Sequence, residues 1–228
     1  MVDILVVGAH PDDIEMGFGA SAAMLAQKGL QVAFLDLTNG EPTPFGNPET
    51  REKESVMAAE ILGACQRITL DLPNRELVDT VEARHKVAQI YRMLKPKLLF
   101  IQKGADAHPD HITGSQVALK ARFDAKLTRT NMHGEPFYPS KVFGYLASHL
   151  RLHVKPAFIL DVTEAFPKKL AAIVNYKSQF AAANREEIIL KRIEEIGAYY
   201  GSLIGADYGE PVFCDEEIGL GDIRDLRF

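Results

Sequence analysis

Apolar residues along this chain come in short runs whose period changes from one run to the next. Residues 3–8 (DILVVG) form a β-branched, nearly continuous apolar run, the pattern of a strand buried on both faces of a parallel sheet. In residues 17–29 (GFGASAAMLAQKG) the apolar positions fall at helical spacing, and Gly29 is placed to end the helix. Residues 31–37 (QVAFLDL) read as a second strand, and residues 49–62, entered after Pro48, as a second helix. The alternation continues with a short strand at 67–70, a helix at 81–94 that ends before Pro96, a buried strand at 97–102 (KLLFIQ) and a helix at 112–123. Strands follow near 142–146 and 157–162. Residues 164–200 are mostly helical with a break around 181–184, and a short extended piece lies at 211–214. This order predicts an α/β, Rossmann-like layered fold: a mainly parallel central sheet flanked by helices and joined by right-handed crossovers.

Composition narrows the picture. With 228 residues, 46% of them hydrophobic, the chain can bury a large core without disulfides. The richest turn region, residues 40–48, is too short for an interdomain linker, so one domain covering 1–228 is expected. A net charge of −5, with acidic and basic residues interleaved, argues against nucleic acid as a partner. Cys65 and Cys214 lie far apart and form no CxxC pair, so two free, buried thiols in a reducing cytoplasm are expected. The opening MVDILVVGAHPDD lacks the basic start and the apolar length of a signal peptide, and no later stretch is long enough to cross a bilayer.

Chemistry concentrates at two strand ends, where ligands bind in open parallel sheets. His10-Pro11-Asp12-Asp13 directly follows the first strand, and His108-Pro109-Asp110-His111 lies shortly after the strand at 97–102. A catalytic zinc takes about three His, Asp or Glu ligands and leaves one position for water. His10 and Asp13, three apart in a tight turn, can converge on one ion, with a third ligand from the second loop. The prolines restrict each loop and so lower the entropy lost on fixing ligands. The two clusters contain more imidazoles and carboxylates than one ion needs, which leaves groups for acid and base work. For His85, His133, His149 and His153 no second ligand type lies at useful spacing, so they are expected to be ordinary surface or core histidines.

A dinucleotide site is the competing expectation, because Gly17 and Gly19 open a helix and Asp36 ends the second strand. The glycines do not directly follow the strand, however, and Asp12 and Asp13 put negative charge where a pyrophosphate needs donors. Gly17 and Gly19 are instead expected to let the helix pack closely on the sheet. A non-catalytic nucleotide- or sugar-binding module would use these glycines and Asp36 and would hold no stoichiometric metal.

At AHPDDIE (9–15), TNGE (38–41), REKE (51–54) and HPDH (108–111) the sequence resembles the LmbE-like, or PIG-L, family of zinc-dependent N-deacetylases. The order of elements agrees over nearly the whole chain. The resemblance implies Zn2+ held by His10, Asp13 and His111, with Asp12 as the general base. It gives His108 to the oxyanion and the leaving amine, with Asp110 orienting its ring, and places Arg51 against the sugar conjugate. Loop 41–46 looks substrate-facing, with Glu41 and Phe45 as candidate contacts. The implied substrate is a small-molecule amino-sugar conjugate, such as N-acetylglucosaminyl malate of bacillithiol biosynthesis or a chitooligosaccharide. The family also includes amidases acting on glycosyl-thiol conjugates. Several relatives assemble, so a homo-oligomer is compatible with the resemblance.

Overall fold

A computed structural model describes residues 1–222. The elements follow the predicted alternation: β1 (Ile4–Gly8), α1 (Asp13–Gln27), β2 (Val32–Asp36), α2 (Pro48–Leu62), β3 (Gln66–Thr69), α3 (Val81–Leu94), β4 (Leu98–Gln102) and α4 (Pro109–Asp124). Then come β5 (Lys141–Tyr145), β6 (Phe158–Asp161), α5 (Phe166–Val174), α6 (Glu186–Ser202) and β7 (Gly209–Phe213). Side chains cap the starts of α2 and α3. The Asn47 side chain accepts from the Thr50 amide at the start of α2, and Thr80 accepts from Ala83 at the start of α3.

The strands form one sheet in the order β3-β2-β1-β4-β5-β7-β6. Strands β1 to β5 pair in parallel, whereas β7 runs antiparallel to both β5 and β6. Strand order therefore reverses between β1 and β4, which are hydrogen-bonded neighbours, and the two loops that leave their carboxyl ends face a common crevice.

Side chains alternate across the sheet and build a core on each face. Ile4 and Val6 of β1, with Val32 and Phe34 of β2, pack with residues of α1, α2 and α5. Leu5, Val7, Ala33 and Leu35 point the other way and pack with residues of α3 and α4. Close helix–sheet approach is most demanding at Gly17, where an added Cβ would lie 2.5 Å from the Tyr145 ring and 2.7 Å from the Leu146 carbonyl oxygen. The Tyr145 hydroxyl is itself fixed by donating to the Val7 carbonyl. Gly17→Ala is therefore expected to destabilise the fold by about 1–3 kcal/mol through overpacking, read from urea unfolding midpoints at unchanged m-value.

Four expectations need correction. Helices α1 and α4 begin at Asp13 and Pro109, inside the two motifs, not at residues 17 and 112. The break between the last helices spans residues 175–185, wider than the sequence suggested. The extended piece near the end is a full strand, and it lies inside the sheet between β5 and β6. Cys65 is exposed and Cys214 half-buried, although both are free. No helix among the described residues is long and apolar enough to cross a membrane.

Candidate active site

The chain turns sharply out of β1 at His10-Pro11-Asp12-Asp13. Asp12 has φ 120°, in the region that favours glycine, a sparsely populated backbone state that persists only where surrounding contacts hold it. Here Arg51 of α2 does so: its Nη2 donates to the Pro11 carbonyl and lies 3.0 Å from Asp12 Oδ2. Pro11 and Arg51 in turn press on Gly40, whose φ is +72° and where a Cβ would come within 3.2–3.4 Å of both side chains. The remaining Arg51 nitrogens, Nε and Nη1, are buried and have no hydrogen-bond partner among the described residues.

His10, Asp13 and His111 converge at the crevice. His10 Nδ1 lies 3.3 Å from one Asp13 oxygen, and His111 Nε2 lies 3.2 Å from the other. One ligand atom from each of the three residues falls within 4.8 Å of the others, a donor set that fits a divalent ion. The outward nitrogens are also engaged. His10 Nε2 lies 3.1 Å from Asp110 Oδ2, and His111 Nδ1 lies 2.6 Å from Asp106 Oδ2. A carboxylate behind each imidazole fixes its tautomer and raises its basicity, the arrangement found around metal-bound histidines.

The electrostatics also favour a cation. Burial disfavours a charged His10, but the Asp110 and Asp13 carboxylates outweigh it and raise its pKa to about 10. His111 is likewise raised against its burial by Asp13 and Asp106. Asp13 resists the upward push of burial and stays well below the usual carboxylate range because His111 and His10 face it. For Asp12, burial dominates over the Arg51 guanidinium and brings the carboxyl up to about 6. Such a group is ionised at neutral pH yet close enough to it to accept a proton.

His108 precedes α4 and caps it, its Nδ1 accepting from the Asp110 amide at 3.2 Å. Acceptance at Nδ1 leaves the proton of the neutral ring on Nε2, as a donor. Burial and the neighbouring His10 and His111 lower the His108 pKa and so favour that neutral ring. Asp110 was expected to orient His108 with its carboxylate, and no such hydrogen bond forms. Its carboxylate serves His10 and the amides of Arg75 and Leu77, while its backbone amide holds His108. The start of α4 at Pro109 explains the exchange, because Asp110 then supplies an unpaired first-turn N–H.

Glu41 is buried in its own loop. Its carboxylate accepts from the Thr43 amide and hydroxyl at 2.6–2.9 Å, and Gln179 Nε2 reaches it and Thr43 Oγ1. These bonds shape the loop and leave Glu41 little capacity for another partner. Phe45 is 58% exposed on the same loop and remains free for a ring contact.

Sequence reasoning missed Asp106 and His149. Asp106, fully buried, accepts from the amides of Ala107, His108 and His149 besides facing His111. The DAHPDH run offered a local signal for it, two residues before His108. Nothing local marks His149, which reaches the crevice from the loop after β5. Asp106→Asn is expected to weaken metal affinity about 10- to 100-fold, measured by competition with a chromogenic chelator. Unchanged affinity would mean that Asp106 only shapes the loop.

Comparison with known proteins places this geometry among relatives. The diacetylchitobiose deacetylase of Thermococcus kodakarensis is 27% identical over 223 residues, 92% of this chain and 81% of that protein. An uncharacterized deacetylase of Escherichia coli K12, YaiS, is 34% identical over 77% of this chain and 90% of its own length. The crystal structure of a conserved protein from Thermus thermophilus, TT1542, superposes with a TM-score of 0.88 at 35% identity, covering 96% of this chain and 97% of that one. The family model for GlcNAc-PI de-N-acetylase, PIG-L, matches residues 5–122, which hold nearly all of β1, β2 to β4 and both histidine motifs. By fold, motif and descent, the chain belongs to the PIG-L family of de-N-acetylases.

Proposed function

We propose that this protein is a zinc-dependent hydrolase that removes the N-acetyl group from an N-acetylglucosamine conjugate, releasing acetate and a sugar amine. N-acetylglucosaminyl malate and a short chitooligosaccharide are the substrates in view. The observation that carries the proposal is the convergence of His10, Asp13 and His111 on one point, with Asp12 and His108 beside them. The activity named for the Thermococcus relative supports the sugar amide as substrate class.

Zinc at this site would polarise the amide carbonyl and lower the pKa of a water from about 15.7 to about 7. Asp12, ionised and oriented by Arg51, takes the proton from the attacking water. His108 donates from Nε2 to the carbonyl oxygen as negative charge develops there. The resemblance also gave the leaving amine to His108, but a neutral ring has only the Nε2 proton it directs at the oxyanion; the proton collected by Asp12 returns to the departing nitrogen instead, so the sugar leaves as a free amine. Arg51 has two buried nitrogens, Nε and Nη1, without partners among the described residues, and a substrate oxygen would satisfy one of them. Phe45 offers an exposed ring at the loop edge for stacking on a sugar face.

The test pairs elemental analysis with amine release from N-acetylglucosamine, N,N'-diacetylchitobiose and N-acetylglucosaminyl malate. One metal per chain is expected, with amine release that a chelator abolishes and zinc restores. A metal-loaded protein that releases no amine from any of the three would sink the proposal.

A further inference from the structure

Four histidine rings gather at the crevice, and three are accounted for by the ligand set and by His108, which caps α4. The fourth, His149, lies with its ring centroid 5.1 Å from His111 and 5.7 Å from His108. Its side chain is 62% exposed, yet it is tied down at two points. The backbone amide donates to Asp106 Oδ1 at 3.1 Å, and ring Nδ1 lies 3.3 Å from the same oxygen. The loop that carries it is fastened as well, with Ser148 Oγ donating to the Ala105 carbonyl and the Leu150 amide donating to Ser148 Oγ.

An exposed loop histidine gains little by being held this way. Fixing the ring costs rotamer entropy, and the amide alone already secures the backbone. What the tether does achieve is chemical definition. With Nδ1–H directed at a carboxylate, the neutral ring must present Nε2 as an acceptor, and no described residue engages that nitrogen. A role as an additional metal ligand fits poorly, because an ion shared by Asp106, His111 and His149 would have to break the 2.6 Å contact between Asp106 and His111.

We propose that His149 is a substrate-contacting residue whose Nε2 accepts a hydrogen bond from a hydroxyl of the amino-sugar, an inference that rests on the sugar-amide hydrolysis proposed above. Asp106 is then a shared support: one oxygen holds the ligand His111 and the other holds the sugar contact, so both are set by one buried carboxylate. The contact lies on the sugar, away from the reacting carbonyl, and it contributes equally in the ground state and the transition state. Its removal should therefore appear in KM and not in kcat.

The experiment measures kcat and KM on N,N'-diacetylchitobiose for zinc-loaded unmodified protein, His149→Ala and His149→Gln, with metal content and melting temperature for each. His149→Ala is expected to raise KM about five- to tenfold, the worth of one hydrogen bond, with kcat within about twofold and metal and melting temperature unchanged. His149→Gln keeps an acceptor and is expected to recover most of the loss. An unchanged KM in His149→Ala overturns the inference, as does a fall in kcat without a change in KM or a loss of metal. If the unmodified protein cleaves no N-acetylated sugar, the proposed function falls and this inference with it, a result distinct from an active protein indifferent to His149.

Discussion

Replacing Asp12 by asparagine is expected to lower kcat by about 10²- to 10⁴-fold while leaving the metal in place. Asparagine keeps the shape and can still face Arg51, but it cannot take a proton from water. Asp12 is the one carboxylate at the crevice paired with a guanidinium and not with a ring, its Oδ2 lying 3.0 Å from Arg51 Nη2. Asp13 and Asp110 face His10, and Asp106 faces His111. His10→Ala supplies the contrast, since it should abolish turnover and metal binding together. Turnover in a chromogenic amide assay, with metal content measured on the same samples, separates the two. Equal metal loss in both variants would show that Asp12 is a ligand and not a base.

Arg67→Met is expected to destabilise the fold by about 3–5 kcal/mol, enough to unfold a marginal domain. Arg67 lies beneath the HPDD turn with a side chain only 4% exposed. Its Nε and Nη2 form a two-point pair with Asp36 at 2.6 and 2.8 Å, while Nη1 pairs with Glu15 of α1 and donates to the Ser55 carbonyl. Tyr176 donates to Glu15 from the far side at 3.0 Å. Methionine would fill much of the volume but leave two buried carboxylates facing each other with no cation. Denaturant unfolding of Arg67→Met against Arg67→Met/Asp36→Leu/Glu15→Leu isolates the charge effect. The triple variant should recover most of the loss, because removing the whole group leaves nothing unpaired. A triple variant as unstable as the single one would place the cost in packing.

The same network accounts for Asp36, which the sequence left suspended between a ribose contact and something structural. At the end of β2 it is fully buried and pairs with Arg67 and Thr69, out of reach of a nucleotide.

The parallel part of the fold was legible because β1, β2 and β4 are compact apolar runs and each intervening helix is punctuated by a cap, a glycine or a proline. Strand β7 was read only as a short extended piece. Pro211 cannot donate to a ladder and argues against an interior strand, yet β7 lies between β5 and β6, opposite Ile159. At the site, the residues within the two motifs were found because backbone proximity in sequence made convergence plausible. Partners that cross between elements were not, since only the folded sheet brings His149 to Asp106 or turns the Asp110 carboxylate toward His10. Glu41 closes its own loop for a local reason that the sequence could have hinted at: Thr43 stands two residues on, at the spacing of a side chain that closes its own turn.

The early starts of α1 and α4 have an electrical consequence. These helices pack on opposite faces of the sheet, yet both open at the same crevice, one with Asp13 as its first residue and the other with His108 as its cap. Each helix end carries about half a positive charge from its aligned peptide dipoles, an influence confined to the first turn. Two such ends face the crevice with fixed positive potential that neither titrates nor reorients. In the hydrolysis proposed above, the backbone alone would supply a field that favours the oxyanion over the neutral carbonyl before any side chain moves.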